Sequence, residues 1–483
     1  MNADEKRLSE MGYTQELSRR MGAFSNFAIS FSMICVLAGG ITAFPSALSA
    51  GGGISIGIGW PVGALFAAVV AAAMAQIASS FPTAGGLYHW SSILGGKGWG
   101  WATAWFNLLG LVFVVASVNF GVWDPFFKTL VAPLLGIDPA GLGWGHQTAF
   151  IAFVTASQAL LNHRFPKLTT KLTDISGYLI FALVVVLIGS LLAFSKTPLD
   201  ISRLWTFTNF TGADGGAWPR TENVTMVFLV GLLLTIYTIT GFDASAHTSE
   251  ETHDAARVVP KGILRSVGWS ALFGFLLICT FLLVIPDLKA TVAQGVGFFD
   301  AVLHILPDPL RVVLGLGIFA VNYLCALACL TSTSRMSYAF ARDGGLPGSK
   351  WLKQVHPTLK TPVAAIWVSA VLVVLATLYG GAFLILSTAC AVMLYLSYVM
   401  PTAAGLFAEG KTWTHKGPFD LKGFSKPLGV LAVVGGLILA FVGSVPPNEK
   451  VFYLVVAMSL ALLIAWWAGV RNLFKGPPRM DVG

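Results

Sequence analysis

The sequence predicts an all-α integral membrane protein of about twelve spans, and three observations carry that prediction. Of the 483 residues, 55% are hydrophobic and only 11% charged, whereas a soluble globular chain carries roughly 25% charged residues. The apolar residues fall into runs of about 20, the length that crosses a bilayer as a helix. Short polar connectors between these runs hold nearly all the charge.

Residues 1–22 form a polar, mixed-charge segment that places Arg19 and Arg20 just before the first apolar run. No small-residue cleavage pattern follows, so this is not a secretory signal. Spans are expected near residues 23–46, 58–80, 99–122, 147–162, 174–195 and 223–246, and then 263–285, 310–336, 362–379, 382–405, 427–445 and 451–470. With both termini on the cytoplasmic side, 23 of the 30 Lys and Arg residues lie on inner segments. Only Lys128, Lys196, Arg203, Arg220, Lys289, Arg311 and Lys450 fall outside, the asymmetry that orients proteins in a cytoplasmic membrane. Because the basic residues are spread through connectors, the net charge of +8 does not predict a nucleic-acid partner. The partners expected are the lipid bilayer and a small solute, and the oligomeric state is left open. The outer segments 196–222 and 286–307 read as lids or spacers, the second with enough apolar residues for a helical cap.

Cys35, Cys279, Cys325, Cys329 and Cys390 all lie inside apolar runs, where a disulfide framework has no use. Cys325 and Cys329 are one helical turn apart with no histidine beside them, so small packing residues are expected there and no metal site. No catalytic constellation is assembled at membrane depth, no filter motif or charged ring suggests a channel, and no phosphate-binding loop is present. An intramembrane enzyme and a channel are therefore disfavoured.

Two runs are poor continuous helices. The first contains Leu37-Ala38-Gly39-Gly40-Ile41 and then Pro45; the sixth contains Thr240-Gly241-Phe242-Asp243-Ala244-Ser245 and then His247. A break at membrane depth is tolerated only where freed backbone groups meet protein, water or solute. Breaks at corresponding places in two five-span halves, 23–205 and 223–405, point to an inverted repeat with a solute site between them. Residues 406–470 would add two helices and their preceding loop, and 471–483 a cytoplasmic tail. Gly39 and Gly40 either bring backbone close to a solute or let helices approach one another. Asp243 is the one acidic residue placed deep inside a span, where a carboxylate costs roughly 2.5–3.5 kcal/mol on insertion scales. It either faces an amine or takes up and releases a proton.

The sequence resembles the amino acid, polyamine and organocation permeases, in particular the branch that carries amino acids, 4-aminobutyrate and choline. The motifs are Gly12-Tyr13-Thr14-Gln15-Glu16-Leu17 and Phe81-Pro82-Thr83-Ala84-Gly85-Gly86-Leu87-Tyr88-His89-Trp90. Tyr237 to Ala244, Glu250-Glu251-Thr252, Val259-Pro260-Lys261-Gly262-Ile263 and Tyr338 to Pro347 follow in order. The resemblance implies a LeuT-type fold of five plus five helices in inverted repeat with two further helices, and secondary transport by alternating access. It assigns the solute's carboxylate end to Ala38, Gly39, Gly40 and Ile41. It sets Tyr237 at an aromatic gate and Thr240, Gly241, Phe242 and Asp243 at the amine end. Glu250, Glu251, Arg335, Arg342 and Asp343 would form an inner gate. Hydroxyls of Thr331, Ser332, Thr333 and Ser334 would contact a cation, or else bond their own helix. Choline or another quaternary amine or polyamine is the alternative cargo. No cofactor is implied beyond a coupling proton or sodium ion. Two departures stand out: Gln76 replaces a glutamate common before the Phe-Pro turn, and residues 175–190 of the fifth span lack the lysine of some proton-coupled relatives.

Overall fold

A computed structural model of the chain describes residues 3–380 and 383–478, and among these it is helical with no strand. Among the described residues, nine helices are long and apolar enough to cross a membrane: Ala23–Thr42, Gly53–Ser80, Lys97–Leu134, Pro166–Phe194, Ala255–Val284, Asp308–Arg342, Phe383–Ala408, Lys422–Val442 and Glu449–Leu473. The shorter apolar helices Val224–Thr238 and Val363–Tyr379 add two passages, and Trp144–Arg164 supplies the fourth in chain order. Each falls on one of the expected segments, so the chain is a multi-pass membrane protein.

The differences lie at the ends. The fifth span starts at Pro166, which occupies the first helical turn where its missing N–H costs nothing. The seventh starts at Ala255 and the eighth runs on to Arg342. Charged residues end a bilayer-length run but not a helix, so these spans project beyond the apolar slab. Residue 382, the expected start of the tenth span, residues 1–2 and residues 479–483 of the tail lie outside the described residues.

The helices pair in a pattern that survives a shift of five. The second span packs on the seventh; the third packs on the tenth as the eighth packs on the fifth. The large buried core joins the first, third, sixth, eighth and tenth spans, while the twelfth presents most of its surface outward. The segment 286–307 forms two short helices, Leu288–Gln294, capped by the Asp287 carboxylate, and Phe298–Leu303. The Phe298 ring stacks on Phe44 with centroids 4.8 Å apart. In the segment 196–222 the buried Trp218 indole donates to the Ser46 carbonyl at 2.6 Å, fastening that loop to the far end of the first span. At the opposite face the two terminal segments meet, Gly12 lying against Pro478.

Trp218→Ala should cost about 3–5 kcal/mol, the range for deleting a buried aromatic. Amide hydrogen exchange over residues 206–222 should accelerate, and unchanged protection there would show that the indole does not fasten the loop.

Candidate functional site

The first and sixth spans are both interrupted in the middle of the bundle. In the first, the helix Ala23–Ile34 ends at Cys35, whose φ of 24° and ψ of 88° are not helical, and a second helix runs Val36–Thr42. The break thus falls before the Leu37–Ile41 motif, which is itself helical. Gly39 explains why glycine is needed there all the same. A Cβ on it would lie 2.9 Å from the Thr238 Cα, so the first and sixth spans touch backbone to backbone. Gly40 turns instead toward Ile278 and Leu277 of the seventh span, at 3.7 and 3.9 Å from a Cβ built on it.

The sixth span starts at Asn223, whose side chain caps the helix by accepting from the Met226 N–H, and stops at Thr238. Residues 239–243 are non-helical before the short helix Ala244–His247 resumes. Gly241 has φ of 99° and a Cβ there would sit 2.5 Å from Met33, so only glycine meets both demands. The freed backbone groups find side chains. Tyr395 donates to the Ile239 carbonyl at 2.8 Å, and the Gly241 N–H donates to the Tyr398 hydroxyl at 3.1 Å. Ser30 donates to the Phe242 carbonyl at 2.9 Å and accepts from the Ser245 N–H at 2.9 Å, while Asn26 donates to the Ser245 carbonyl at 2.9 Å. The lower half of the first span and two tyrosines of the tenth therefore complete the sixth-span break.

Asp243 is fully buried at this break. Its Oδ1 accepts from Tyr398 at 2.8 Å, and its Oδ2 accepts from Asn107 of the third span at 3.0 Å and lies 3.1 Å from His247 Nε2. Asn107 also donates to Ser397 at 3.1 Å. Tyr237 is buried, its hydroxyl 2.9 Å from Ser117 and its ring edge-on to Phe383. The Phe242 ring lies against Tyr398 with centroids 4.8 Å apart, and Thr240 donates to its own helix at Ile236. On the eighth span, Thr331, Thr333 and Ser334 each donate to a carbonyl of their own helix, whereas the buried Ser332 hydroxyl has no partner among the described residues. Tyr395 and Tyr398 were not singled out from the sequence. Their spacing of three in an apolar run puts both on one helix face, the signal that finds them.

A second cluster closes the bundle at the terminal-bearing face. Glu251 accepts from Arg20 at 2.7 Å and from Arg335 at 2.8 Å, and Glu250 takes both Arg342 terminal nitrogens at 3.0 Å. Asp343 accepts from Tyr13 at 2.8 Å and Tyr88 at 2.9 Å, so it does not pair with its neighbour Arg342, which stacks on the Tyr13 ring at 4.0 Å. Glu16 accepts from Tyr338 at 2.7 Å, and Arg19 donates to the Ser249 and Thr252 carbonyls. Burial alone would raise the Glu251 carboxyl, but the guanidinium groups of Arg335 and Arg20 outweigh it and hold it below 4.5. Burial pushes the Asp343 carboxyl up despite Arg342 and the two tyrosines. Gln76 has a fastening role: it donates to Ser425 at 2.8 Å and accepts from the Leu421 N–H at 2.7 Å, holding the loop that leads into the eleventh span.

Residues 21–468 match a family model described as amino acid permease. The chain is 33% identical to "Amino-acid permease BAT1" of Arabidopsis thaliana, over 99% of this chain and 96% of that protein. It is also 33% identical to the homologue of that permease in Oryza sativa subsp. japonica, over 98% and 95%. A "Putative polyamine transporter" of Candida albicans is 27% identical over 99% of this chain and 89% of its own length.

Two outcomes follow from this geometry. Gly39→Ala should lower stability by about 1–3 kcal/mol through overpacking against Thr238, while Gly40→Ala, in ordinary contact distance, should leave the thermal unfolding midpoint in detergent nearly unchanged. Equal midpoints for both variants would contradict the close approach at Gly39. Glu251→Gln should cost about 3 kcal/mol by leaving two guanidinium groups under-neutralised. A depressed carboxyl stabilises the fold above its unfolded value and loses that contribution as pH falls through the folded value. Wild type should therefore lose stability progressively as pH falls below 4.5, and the Gln variant should lack this component.

Proposed function

The chain belongs to the amino acid permease family, and from that premise we propose a secondary active transporter of an amino acid or a close relative such as 4-aminobutyrate, working by alternating access. At the coarser level it is a multi-pass membrane transporter of amino acids or amines and not an enzyme. The observation that carries the finer reading is the meeting of two interrupted spans at mid-bundle with the Asp243 carboxylate set into one of them. Broken helices offer N–H groups for a carboxylate and carbonyls for an ammonium at membrane depth. In this reading Ala38, Gly39, Gly40 and Ile41 serve the carboxylate end of the solute, Thr240, Gly241, Phe242 and Asp243 the amine end, and Tyr237 the aromatic gate. The ion pairs of Glu250 and Glu251 with Arg342, Arg335 and Arg20 form the inner gate together with Asp343, on the cytoplasmic side by the distribution of Lys and Arg. The host membrane is the cytoplasmic one, with both termini inside. Ser332, with its free hydroxyl, is the best placed of the four eighth-span hydroxyls to contact a coupling cation.

A second reading has support from the Candida relative and from the Phe242, Tyr395 and Tyr398 rings beside the carboxylate: an amine cargo with no carboxylate, such as a polyamine or choline. Rings of this kind attract cations by their negative faces.

Uptake of radiolabelled 4-aminobutyrate, alanine, putrescine and choline into proteoliposomes, under imposed proton or sodium gradients, separates the two. Amino acids should be carried and resist competition by choline; the reverse order would favour the amine reading. Asp243→Asn should fold and lose at least tenfold in uptake, and wild-type uptake with wild-type pH dependence would remove Asp243 from the mechanism.

A further inference from the structure

His247 lies one helical turn beyond Asp243, and both side chains are fully buried. Its two ring nitrogens each face an oxygen: Nδ1 is 3.3 Å from the Ala84 carbonyl and Nε2 is 3.1 Å from Asp243 Oδ2. A carbonyl carries no proton, so the first contact is a hydrogen bond only with hydrogen on Nδ1. The second contact then needs a further hydrogen, on Nε2 or on the carboxyl. A neutral imidazole beside a carboxylate holds one of these two hydrogens. The arrangement is satisfied only when the pair has taken up one proton more, and with it the pair is neutral overall.

Among the described residues the surroundings supply no other neutralising charge. Asn107 and Ser397 are neutral, and Tyr398 already donates to Asp243 Oδ1. Cys390 on the tenth span is a buried free thiol. On the eighth span Arg335 and Arg342 are committed to Glu251 and Glu250. On the seventh-span side Arg257 pairs with Asp254, and Lys261 and Arg265 are exposed. Beyond the turn after the second span, His89 is buried against the Tyr13 ring, held near a pKa of about 3 by burial and by Arg342, so it too is neutral. A net negative charge buried at this depth is unfavourable, and the proton removes it.

The same residue that receives His247 is tied to the inner ion pairs. The Ala84 carbonyl faces the imidazole, and the Ala84 N–H donates to Glu250 Oε1 at 3.1 Å, the oxygen that also takes Arg342. Loss of the proton leaves one of the two imidazole contacts as a lone pair against an oxygen, and the resulting repulsion acts on Ala84, the residue whose N–H meets Glu250.

We propose that Asp243 and His247 together form the proton-binding site of this transporter, loaded when the terminal-bearing face is closed and linked through Ala84 to the Glu250–Arg342 pair. One proton enters as an N–H or O–H of the pair and leaves to water on the other side of the membrane; no other bond changes. This deepens the transporter reading above and rests on it.

The test uses full-length wild type, His247→Gln and Asp243→Asn in liposomes loaded with a pH-sensitive dye, with radiolabelled 4-aminobutyrate, alanine and putrescine as probes. In wild type, label uptake should acidify the lumen in proportion; in His247→Gln the protons moved per label should fall at least tenfold. A variant that keeps the wild-type ratio, or a wild type that moves label without protons, overturns the proposal. If wild type moves none of the probes, the transporter reading itself fails. In that case, or if the variants are silent, pH-difference infrared spectra of the ligand-free protein between pH 5 and 9 decide. A proton-linked imidazole and carboxyl signal lost in both variants supports the site, and a signal unchanged in both rejects it.

Discussion

Everything in this bundle answers to one constraint: backbone polar groups freed by a broken helix in an apolar slab must be matched by protein. Five residues, 239–243, leave the helical ladder of the sixth span, and an unmatched group there costs several kcal/mol. The matches come from three other spans. Ser30 and Asn26 reach in from the first, Tyr395 and Tyr398 from the tenth, and Asn107 from the third holds the carboxylate that the break exposes. The break is therefore a junction where these helices are fixed relative to one another, and any change in its shape must be shared among them.

The terminal-bearing face extends this junction. Glu250 and Glu251 follow directly on the short helix that ends the sixth span, and through Arg342, Arg335 and Arg20 they join it to the eighth span and to the entry of the first. Buried ion pairs are weak stabilisers when compared with apolar substitutes, but breaking one partner is costly. They define one closed arrangement sharply without making it much deeper in free energy. The contrast between Glu251, held charged by two guanidinium groups, and Asp343, pushed up by burial among hydroxyl donors, puts two carboxyls of opposite tendency in one closure.

Much of this was legible in the amino-acid chain because bilayer thickness fixes the length of each apolar run. The twelve segments and the two interrupted spans follow from that length and from glycine, proline and aspartate inside it. Boundaries were less legible, since the seventh and eighth helices continue past the apolar runs, where hydropathy no longer marks them. The first-span break was placed on glycines, yet Gly39 is helical and serves a close contact, and the irregular residue is Cys35. Nothing local in a cysteine announces a φ of 24°; the surrounding contacts impose it. The partners of Asp243 were half legible. Asn107 is a polar residue in an apolar run, but which oxygen meets which donor depends on helix rotation, which one sequence does not reveal.

The segment 3–22 threads beneath the bundle and is held by groups far along the chain, Tyr13 reaching Asp343 across 330 positions and Gln15 reaching the Glu250 carbonyl across 235. Arg7 of the same segment donates to the Ser79 and Ser80 carbonyls at 3.2 Å, and Arg19 to the Ser249 and Thr252 carbonyls, so one short stretch ties the ends of the second, sixth and eighth spans together. Segment 3–22 therefore seats in full only on a bundle whose second, sixth and eighth spans already stand side by side, which makes its seating a report on their assembly.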